Sequence, residues 1–198
     1  MPVQFFIALY RPSHWVLLAT DNGIPSLSEP IRCFGIEQTD EDEPDDDAWR
    51  NVAFGPILNG WKRSYYETRA GLMGPNFSGL LVFPPCAHES VTLAHVHNAL
   101  DRLPVMPFSV STNPMRRYQW SCKRWIVDAL LRHGPGFGMT FEKRMCEESW
   151  VGMVWGTVLY HEICETAGRL ERDGKMEKAR DGSLVKCVRF PDEYFRSS

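Results

Sequence analysis

The chain has 198 residues, enough for one domain with a substantial core and too few for two of ordinary size. Hydrophobic residues make up 43% and charged residues 24%, a balance typical of globular proteins and unlike that of disordered or fibrous ones. The net charge of -3 argues against nucleic acid as the main partner, and the short apolar runs and the N-terminus predict a cytoplasmic protein with no membrane span and no signal peptide.

The first half of the chain is predicted to form short strands. Residues 3–10 and 14–20 are rich in β-forming side chains, and the Asp-Asn-Gly that follows the second segment is a hairpin signal. Residues 31–37, 64–70 and 79–84 have the same character and are bounded by glycine and proline. We therefore expect five strands before the first helix.

A strongly acidic segment interrupts these strands. Seven acidic residues lie between Asp40 and Asp47, broken only by Pro44. Such a run repels itself and is well hydrated, so residues 39–49 are predicted to form a solvated loop. A metal site or a site for a basic partner is the alternative interpretation of this segment.

The second half is predicted to be mainly helical. Apolar residues recur at helical spacing in residues 90–103, and a proline-rich connection covers 104–114. A helix is predicted over about 121–133, where Gly134 and the following proline stop it. The same spacing predicts a long helix over about 147–170.

The chain ends in a predicted hairpin whose turn is Asp181-Gly182. No internal repeat is visible. Strands followed by helices and a small β finish predict a single α+β domain over residues 1–198, with an antiparallel sheet and helices packed on one face.

The six cysteines are scattered singly, without a Cys-x-x-Cys pair. This pattern predicts a reduced, intracellular protein in which each cysteine is by default a small buried apolar residue. The cysteines are Cys33, Cys86, Cys122, Cys146, Cys164 and Cys187.

Cys122 differs from the others in its position. It follows Ser121, a good capping residue, and precedes Trp125 by three positions, which turns its sulfur toward the face of the helix that packs on the sheet. The amide dipoles of a helix N-terminus and the charges of Lys123 and Arg124 favour a thiolate there. Cys122 is therefore a candidate nucleophile, and an ordinary core cysteine is the alternative.

A reactive thiol needs a base on a rigid element that faces it. His14, at the start of the predicted strand 14–20, is the candidate for that role. The alternative is a histidine at a strand edge with its ring in water or bonded to the backbone.

These motifs support a family resemblance. "SHWVLL" followed by "SCKRWIVDALL" resembles the circularly permuted branch of the papain-like thiol hydrolases, the NlpC-type and lecithin:retinol acyltransferase-like proteins. "PSHWVLL" and "RRYQWSCKRWIVDALLRHG" are similar to a family of fungal proteins of unknown function. The likeness covers roughly residues 5–134. It implies a permuted papain-like fold, a Cys122 nucleophile, a His14 base and a role in fungal secondary metabolism.

The chain departs from that family pattern before the cysteine, where Gln119, Trp120 and Ser121 replace the usual glycines. Gln119 is a candidate oxyanion donor together with the Cys122 backbone N–H. Trp15, Trp120 and Trp125 are expected to line the substrate cleft.

A third residue to orient the histidine is not obvious from the sequence. Glu37, at the end of the next predicted strand, is the first choice, and Arg32 and Asp21 remain alternatives.

Metal sites receive little support from the sequence. Cys86, His88, His95 and His97 suggest a zinc site, but His95 and His97 lie two apart on a predicted helix and point in different directions, so these two cannot share a metal ion and ordinary surface histidines are expected. "HEICE" at 161–165 lacks the second histidine of the zinc-protease motif and predicts an exposed His161–Glu165 pair. We expect no metal and no cofactor.

Three functions remain open at this point. The first is a thiol-dependent enzyme that acts on an amide, ester or thioester of a small molecule or peptide, by hydrolysis, acyl transfer or cyclisation. The second is a non-covalent cyclase or isomerase that uses the same cleft for acid–base chemistry. The third is a non-catalytic binding module.

Overall fold

The structure is a computed structural model that describes most, but not all, of the chain. It describes residues 2–11, 14–21, 23–29, 31–39, 60–68, 74, 76–106, 108–113, 116 and 119–196, without the side chains of 37–39, 60–68, 108 and 109. The acidic residues Asp40 to Asp47 lie outside the described residues, so the prediction for that segment stays a prediction.

Five strands form the first half of the described chain, as predicted. They are β1 (Gln4–Tyr10), β2 (His14–Thr20), β3 (Ile31–Thr39), β4 (Gly60–Thr68) and β5 (Phe77–Pro85). The bounds of β2 agree with the prediction, and those of β4 lie further toward the N-terminus than the predicted 64–70. Nearly all of β1 and β2 is buried, which explains their unbroken apolar character.

The described residues then form the helices α1 (Leu93–Leu100), the short α2 (Phe108–Ser111) and α3 (Cys122–His133). The Ser121 side chain caps α3 by accepting a hydrogen bond from the Arg124 backbone N–H at 3.4 Å. A 3₁₀ turn (Gly134–Phe137) ends this helix where the Gly-Pro sequence predicted a stop.

The prediction of one long helix over 147–170 is wrong in its first half. A 3₁₀ turn (Lys143–Cys146) is followed by a hairpin of β6 (Glu148–Val151) and β7 (Val154–Thr157). Gly152 takes a φ of +61° in the turn between them, a backbone conformation that favours glycine. Helix α4 begins only at Val158 and runs to Gly168.

The C-terminal part completes the fold. After α4 come the short α5 (Leu170–Asp173), then β8 (Lys175–Lys178) and β9 (Leu184–Arg189), which pair antiparallel around the predicted Asp181-Gly182 turn. A last 3₁₀ turn covers Asp192–Tyr194.

The main sheet has seven strands in the order β4-β3-β2-β1-β5-β9-β8. Every pairing is antiparallel except that of β5 with β9, which is parallel. The protein is therefore α+β, as predicted, with a sheet that is mostly rather than wholly antiparallel. Among the described residues, no helix is long and apolar enough to cross a membrane.

The two faces of the sheet carry separate cores, and the helices that the structure describes pack on one of them. Trp15 and Leu17 of β2 belong to the core that contains the helix side chains, including Cys122. Val16 and Leu18, the residues between and after them, belong to the other core, which holds no helix residue. Alternation along β2 therefore separates a helix face from an opposite face.

Candidate functional site: a cleft beside Trp15

Cys122 lies at the first position of α3, directly over β2. Its sulfur is close to the backbone N–H of Trp15 and to the N–H groups of the helix start, and these groups and the Lys123 charge favour the thiolate. Burial outweighs them, because the side chain is only 9% exposed, and the pKa of Cys122 is raised above its ordinary value. Cys122 is consequently a protonated thiol at neutral pH.

The structure does not bring His14 to this thiol. His14 pairs with Tyr10 across β1 and β2, and the two rings lie 6.2 Å apart between centroids. His14 lies two residues before Val16 and four before Leu18, so its side chain is on the same face of β2 as theirs. Those two side chains pack on the face opposite the helices. The neighbouring residue, Trp15, belongs to the core on the helix side together with Cys122, so the alternation places the His14 ring and the Cys122 thiol on opposite faces of the sheet.

Two of the three candidates for orienting the histidine, Asp21 and Arg32, lie elsewhere, whereas Glu37 lies on β3 at the position that the β2–β3 register carries opposite His14. Glu37 lies on β3 opposite Lys62, and its side chain is outside the described residues. Asp21 and Arg32 line a second cleft of about 200 Å³ at the other end of β2, roughly 20 Å from His14 at the usual rise of a strand. Arg32 donates from Nη2 to both carboxylate oxygens of Asp101 at 3.0 Å.

Gln119, the expected oxyanion donor, has a structural role. Its side-chain nitrogen donates to the Met153 carbonyl at 2.8 Å, and its side-chain oxygen accepts the Trp155 backbone N–H at 2.7 Å. The amide therefore pairs with the outer edge of β7 as a neighbouring strand would, and this explains a glutamine at a position where the resembling family carries glycine.

Trp120 and Trp125 are core residues rather than cleft walls. Both are almost completely buried, and their indole N–H groups donate to the carbonyls of Val105 and Pro104, each at 3.0 Å. They fasten the proline-rich connection to the start of α3. Of the four residues predicted to bind substrate, Trp15 lines one of the clefts formed by the described residues.

That cleft, which we call the Trp15 cleft, has a volume of about 300 Å³ and lies between β1, β2, β5, the start of α3, the end of α4 and α5. Its walls combine apolar, charged and thiol side chains, among them Leu9, Trp15, Lys123, Cys164, Ala167 and Glu171. The Lys123 ammonium lies over the Trp15 ring, 4.7 Å from its centroid.

Cys164 is the thiol that faces this cleft, and the sequence reasoning missed it. It is half-buried and forms a side-chain hydrogen bond with Tyr160, one turn earlier on α4, while Lys123 and Arg124 favour its thiolate. Burial again dominates and raises the pKa of Cys164. Burial also raises the pKa of Tyr160 to about 12, so the phenol keeps its proton and serves as the donor to the sulfur.

Arg124 packs against the Tyr160 ring that contacts Cys164. It is only 5% exposed, and its guanidinium lies between the rings of Trp155 and Tyr160, at 4.7 and 4.2 Å from their centroids. Its Nε donates to the Gln119 carbonyl at 2.8 Å. The i, i+4 spacing of Tyr160 and Cys164 on the predicted helix was the sequence signal for this cluster.

The remaining sequence candidates form other contacts. His161 lies 3.3 Å from the Ser149 carbonyl rather than pairing with Glu165. The His97 ring packs on Phe34, with centroids 5.2 Å apart. In the described part of the chain, no three His, Cys, Asp or Glu side chains are grouped closely enough to hold a metal ion.

Comparisons with protein-family models, with curated proteins and with solved structures return no match for this chain. The resemblance to permuted papain-like enzymes therefore stays a prediction from motifs, and the site has to be interpreted from its own geometry.

Proposed function

We propose that this protein binds a small molecule non-covalently in the Trp15 cleft. The observation that carries the proposal is the cleft itself, whose volume of about 300 Å³ lies at the lower end of the range for small-molecule sites. Its lining combines apolar side chains, among them Leu9, Trp15 and Ala167, with the charged side chains of Arg11, Lys123 and Glu171, so a bound molecule would contact both kinds of group.

The state of the thiols favours non-covalent binding over attack by Cys122. Burial raises the pKa of both Cys122 and Cys164, so neither is a thiolate at neutral pH. The imidazole that could have removed a proton from Cys122 packs with Tyr10 on the other face of the sheet. Cys122 then fills the core at the start of α3.

The experiment uses a neutral fluorescent probe, N-phenyl-naphthylamine, with Cys164 as a reporter of where it binds. Because Cys164 lines the cleft, bound probe should slow its alkylation by a maleimide at mildly alkaline pH. At roughly ten times the dissociation constant of the probe we expect alkylation to slow about tenfold. Exposed Cys146 is the internal control and should react at an unchanged rate.

A variant that fills the cleft gives the second arm of this experiment. Ala167→Trp places a large ring in the cleft, whereas Glu165→Trp adds the same ring to the exposed side of α4. Protection of Cys164 should disappear in the first variant and persist in the second. Equal protection in both variants, or none in the unaltered protein, would refute the proposed site.

A second candidate function is thiol-dependent acyl chemistry at Cys164 on an ester, amide or thioester. It is supported by the hydrogen bond with Tyr160 and by the charges of Lys123 and Arg124, which favour the thiolate. The Cys164 thiol would lose its proton to solvent, and the resulting thiolate would form a C–S bond to the carbonyl carbon and expel an alcohol, amine or thiol that takes up a proton. Water would then hydrolyse the thioester to a carboxylic acid and restore the thiol.

The pH profile separates this chemistry from a thiol–imidazole mechanism. Without an imidazole beside the sulfur, the rate of p-nitrophenyl acetate cleavage should rise steadily into the alkaline range, with no inflection near the ordinary histidine pKa of about 6.5. Cys164→Ser should abolish this cleavage, whereas Cys122→Ser should retain it. The reverse result would return the nucleophile to Cys122.

A further inference from the structure

The charges around the Trp15 cleft are unequal. Lys123 has no carboxylate partner among the residues that the structure describes, and its ammonium lies against the Trp15 ring. Glu171, on the opposite wall, is shared by two cations, since Arg11 donates to one of its carboxylate oxygens and Lys186 lies 3.2 Å from the other. The Glu171 charge is therefore already neutralised, and the cleft has a net positive charge.

The position of Lys123 leaves its hydrogen-bonding capacity open to a ligand. The face of an aromatic ring attracts an ammonium group but accepts few hydrogen bonds from it. A lysine ammonium has three N–H donors, so donors remain for a ligand. The apolar wall formed by Leu9, Trp15 and Ala167 lies in the same cleft. A ligand with a flat or chain-like apolar body and one negative group at its end would satisfy both features.

We infer that the ligand of the Trp15 cleft is an organic anion, an apolar ring or acyl compound whose carboxylate, sulfonate or phosphate is bound by Lys123. The apolar body packs against Trp15, and the anionic group accepts hydrogen bonds from the Lys123 ammonium. This inference rests on the proposed function of the cleft and adds the chemical class of its ligand.

The test compares two dyes that differ by one anionic group. Anilinonaphthalene sulfonate and N-phenyl-naphthylamine share the same rings, and only the first carries a sulfonate. We expect the sulfonated dye to bind about fivefold more tightly at low salt, as for a partly exposed ion pair, and the preference to vanish at ~1 M salt. Binding is read from protection of Cys164, because dye bound to the exposed apolar hairpin (Trp150, Val151, Met153 and Val154) leaves this thiol unprotected.

Matched variants assign the preference to one side chain. Lys123→Gln should remove the preference for the sulfonated dye, measured as the ratio of the two affinities in the same variant, and Lys123→Arg should restore it. Lys143→Gln changes the net charge equally at an exposed position away from the cleft and should preserve the preference. The melting temperature of each variant shows that it is folded.

The outcomes distinguish this inference from the proposed function beneath it. If both dyes protect Cys164 equally, or if the preference survives Lys123→Gln, the cleft is a ligand site but not an anion site, and the inference fails alone. If neither dye protects Cys164, the proposed function fails and the inference with it. Loss of the preference only in Lys123→Gln establishes both.

Discussion

Arg124 illustrates how a single buried charge is stabilised without a carboxylate. Its guanidinium lies between two aromatic faces and donates to the carbonyl and the side-chain oxygen of Gln119, at 2.8 and 3.4 Å. Gln119 in turn holds the edge of β7 through Met153 and Trp155. One side chain thus connects the start of α3, the β6–β7 hairpin and the Tyr160 side of α4, which is why we expect it to matter for stability.

Replacing Arg124 by methionine should therefore destabilise the protein by about 2 kcal/mol. Both ring contacts are lost, and the partly buried Gln119 carbonyl is left without its donor. Urea unfolding monitored by circular dichroism measures the loss. Arg172→Met, which removes a 72% exposed side chain paired only with its neighbour Asp173, should cost under ~0.5 kcal/mol. Equal losses in the two variants would mean that the stacked arrangement contributes nothing.

The orientation of His14 shows what the sequence could not determine at this scale. The residues that follow it, from Trp15 to Leu18, are all apolar and all buried, because β2 is covered on both faces. When both faces are apolar, the period of two no longer tells which residues face the helices. The position of the strand was predictable, but the side of the sheet on which the imidazole lies depended on packing that only the structure reveals.

At the scale of elements, β5 and β9 form the parallel pair that joins the C-terminal hairpin to the rest of the sheet. Gly79 lies in β5 with a φ of +149°, where the Lys186 backbone of β9 comes very close. A β-carbon at this position would lie 2.3 Å from the Lys186 carbonyl oxygen. Because that atom belongs to the backbone of the pairing strand, it cannot move aside without disturbing the pairing.

Gly79→Ala should accordingly destabilise the protein by about 3 kcal/mol through overpacking and backbone strain. Hydrogen exchange of the β9 amides should accelerate together with the global loss measured in urea. Gly168→Ala is the matched control, because a β-carbon there meets nothing within 4 Å and the residue is helical. It should be neutral or stabilising by up to ~1 kcal/mol. A similar response in both variants would contradict the role given to the close approach.

The hairpin of β6 and β7 explains the one large error in the predicted elements. Val151, Trp155, Val158 and Leu159 have the spacing of an amphipathic helix, and helical periodicity was therefore assigned to the whole segment. The segment 148–157 is nevertheless rich in valine and tryptophan and contains Gly152 at its centre, which together favour strands around a turn. The spacing of the apolar residues favoured a helix, whereas their β-propensity favoured strands. The segment forms the hairpin, whose edge packs on Gln119.

At the scale of the whole molecule, the α+β class and the placement of helices on one face followed from the order of the predicted elements. The seven-stranded order did not, because it depends on β9 inserting beside β5, more than a hundred residues away in sequence. The residues that form the candidate site are likewise far apart in sequence. The Trp15 cleft joins residues of β1, β2, α3 and α4, and no motif within one segment could bring Lys123 and Cys164 to the same wall.

The buried thiols couple the whole fold to alkaline pH. Burial raises the pKa of Cys33 and Cys187 to about 12 and that of Cys86 to about 11, from an ordinary value of 9.0. Their stabilising contribution is complete below pH 9 and is lost as the pH rises from there toward these higher values, since the unfolded chain ionises first. Above about pH 9 each of these groups should lower the free energy of unfolding by up to ~1.4 kcal/mol per pH unit.

Urea unfolding between pH 7 and 10.5 should therefore show a stability that falls steeply above about pH 9. Cys33→Ala removes one ionising thiol, so its slope in that range should be shallower by up to ~1.4 kcal/mol per pH unit, whatever its stability at pH 7. Val185→Ala creates a cavity in the same core cluster without removing a thiol, and its curve should be shifted down with an unchanged slope. Parallel curves for Cys33→Ala and the unaltered protein would show that Cys33 ionises equally in the folded and unfolded states, because only a difference in pKa between the two states can produce a slope.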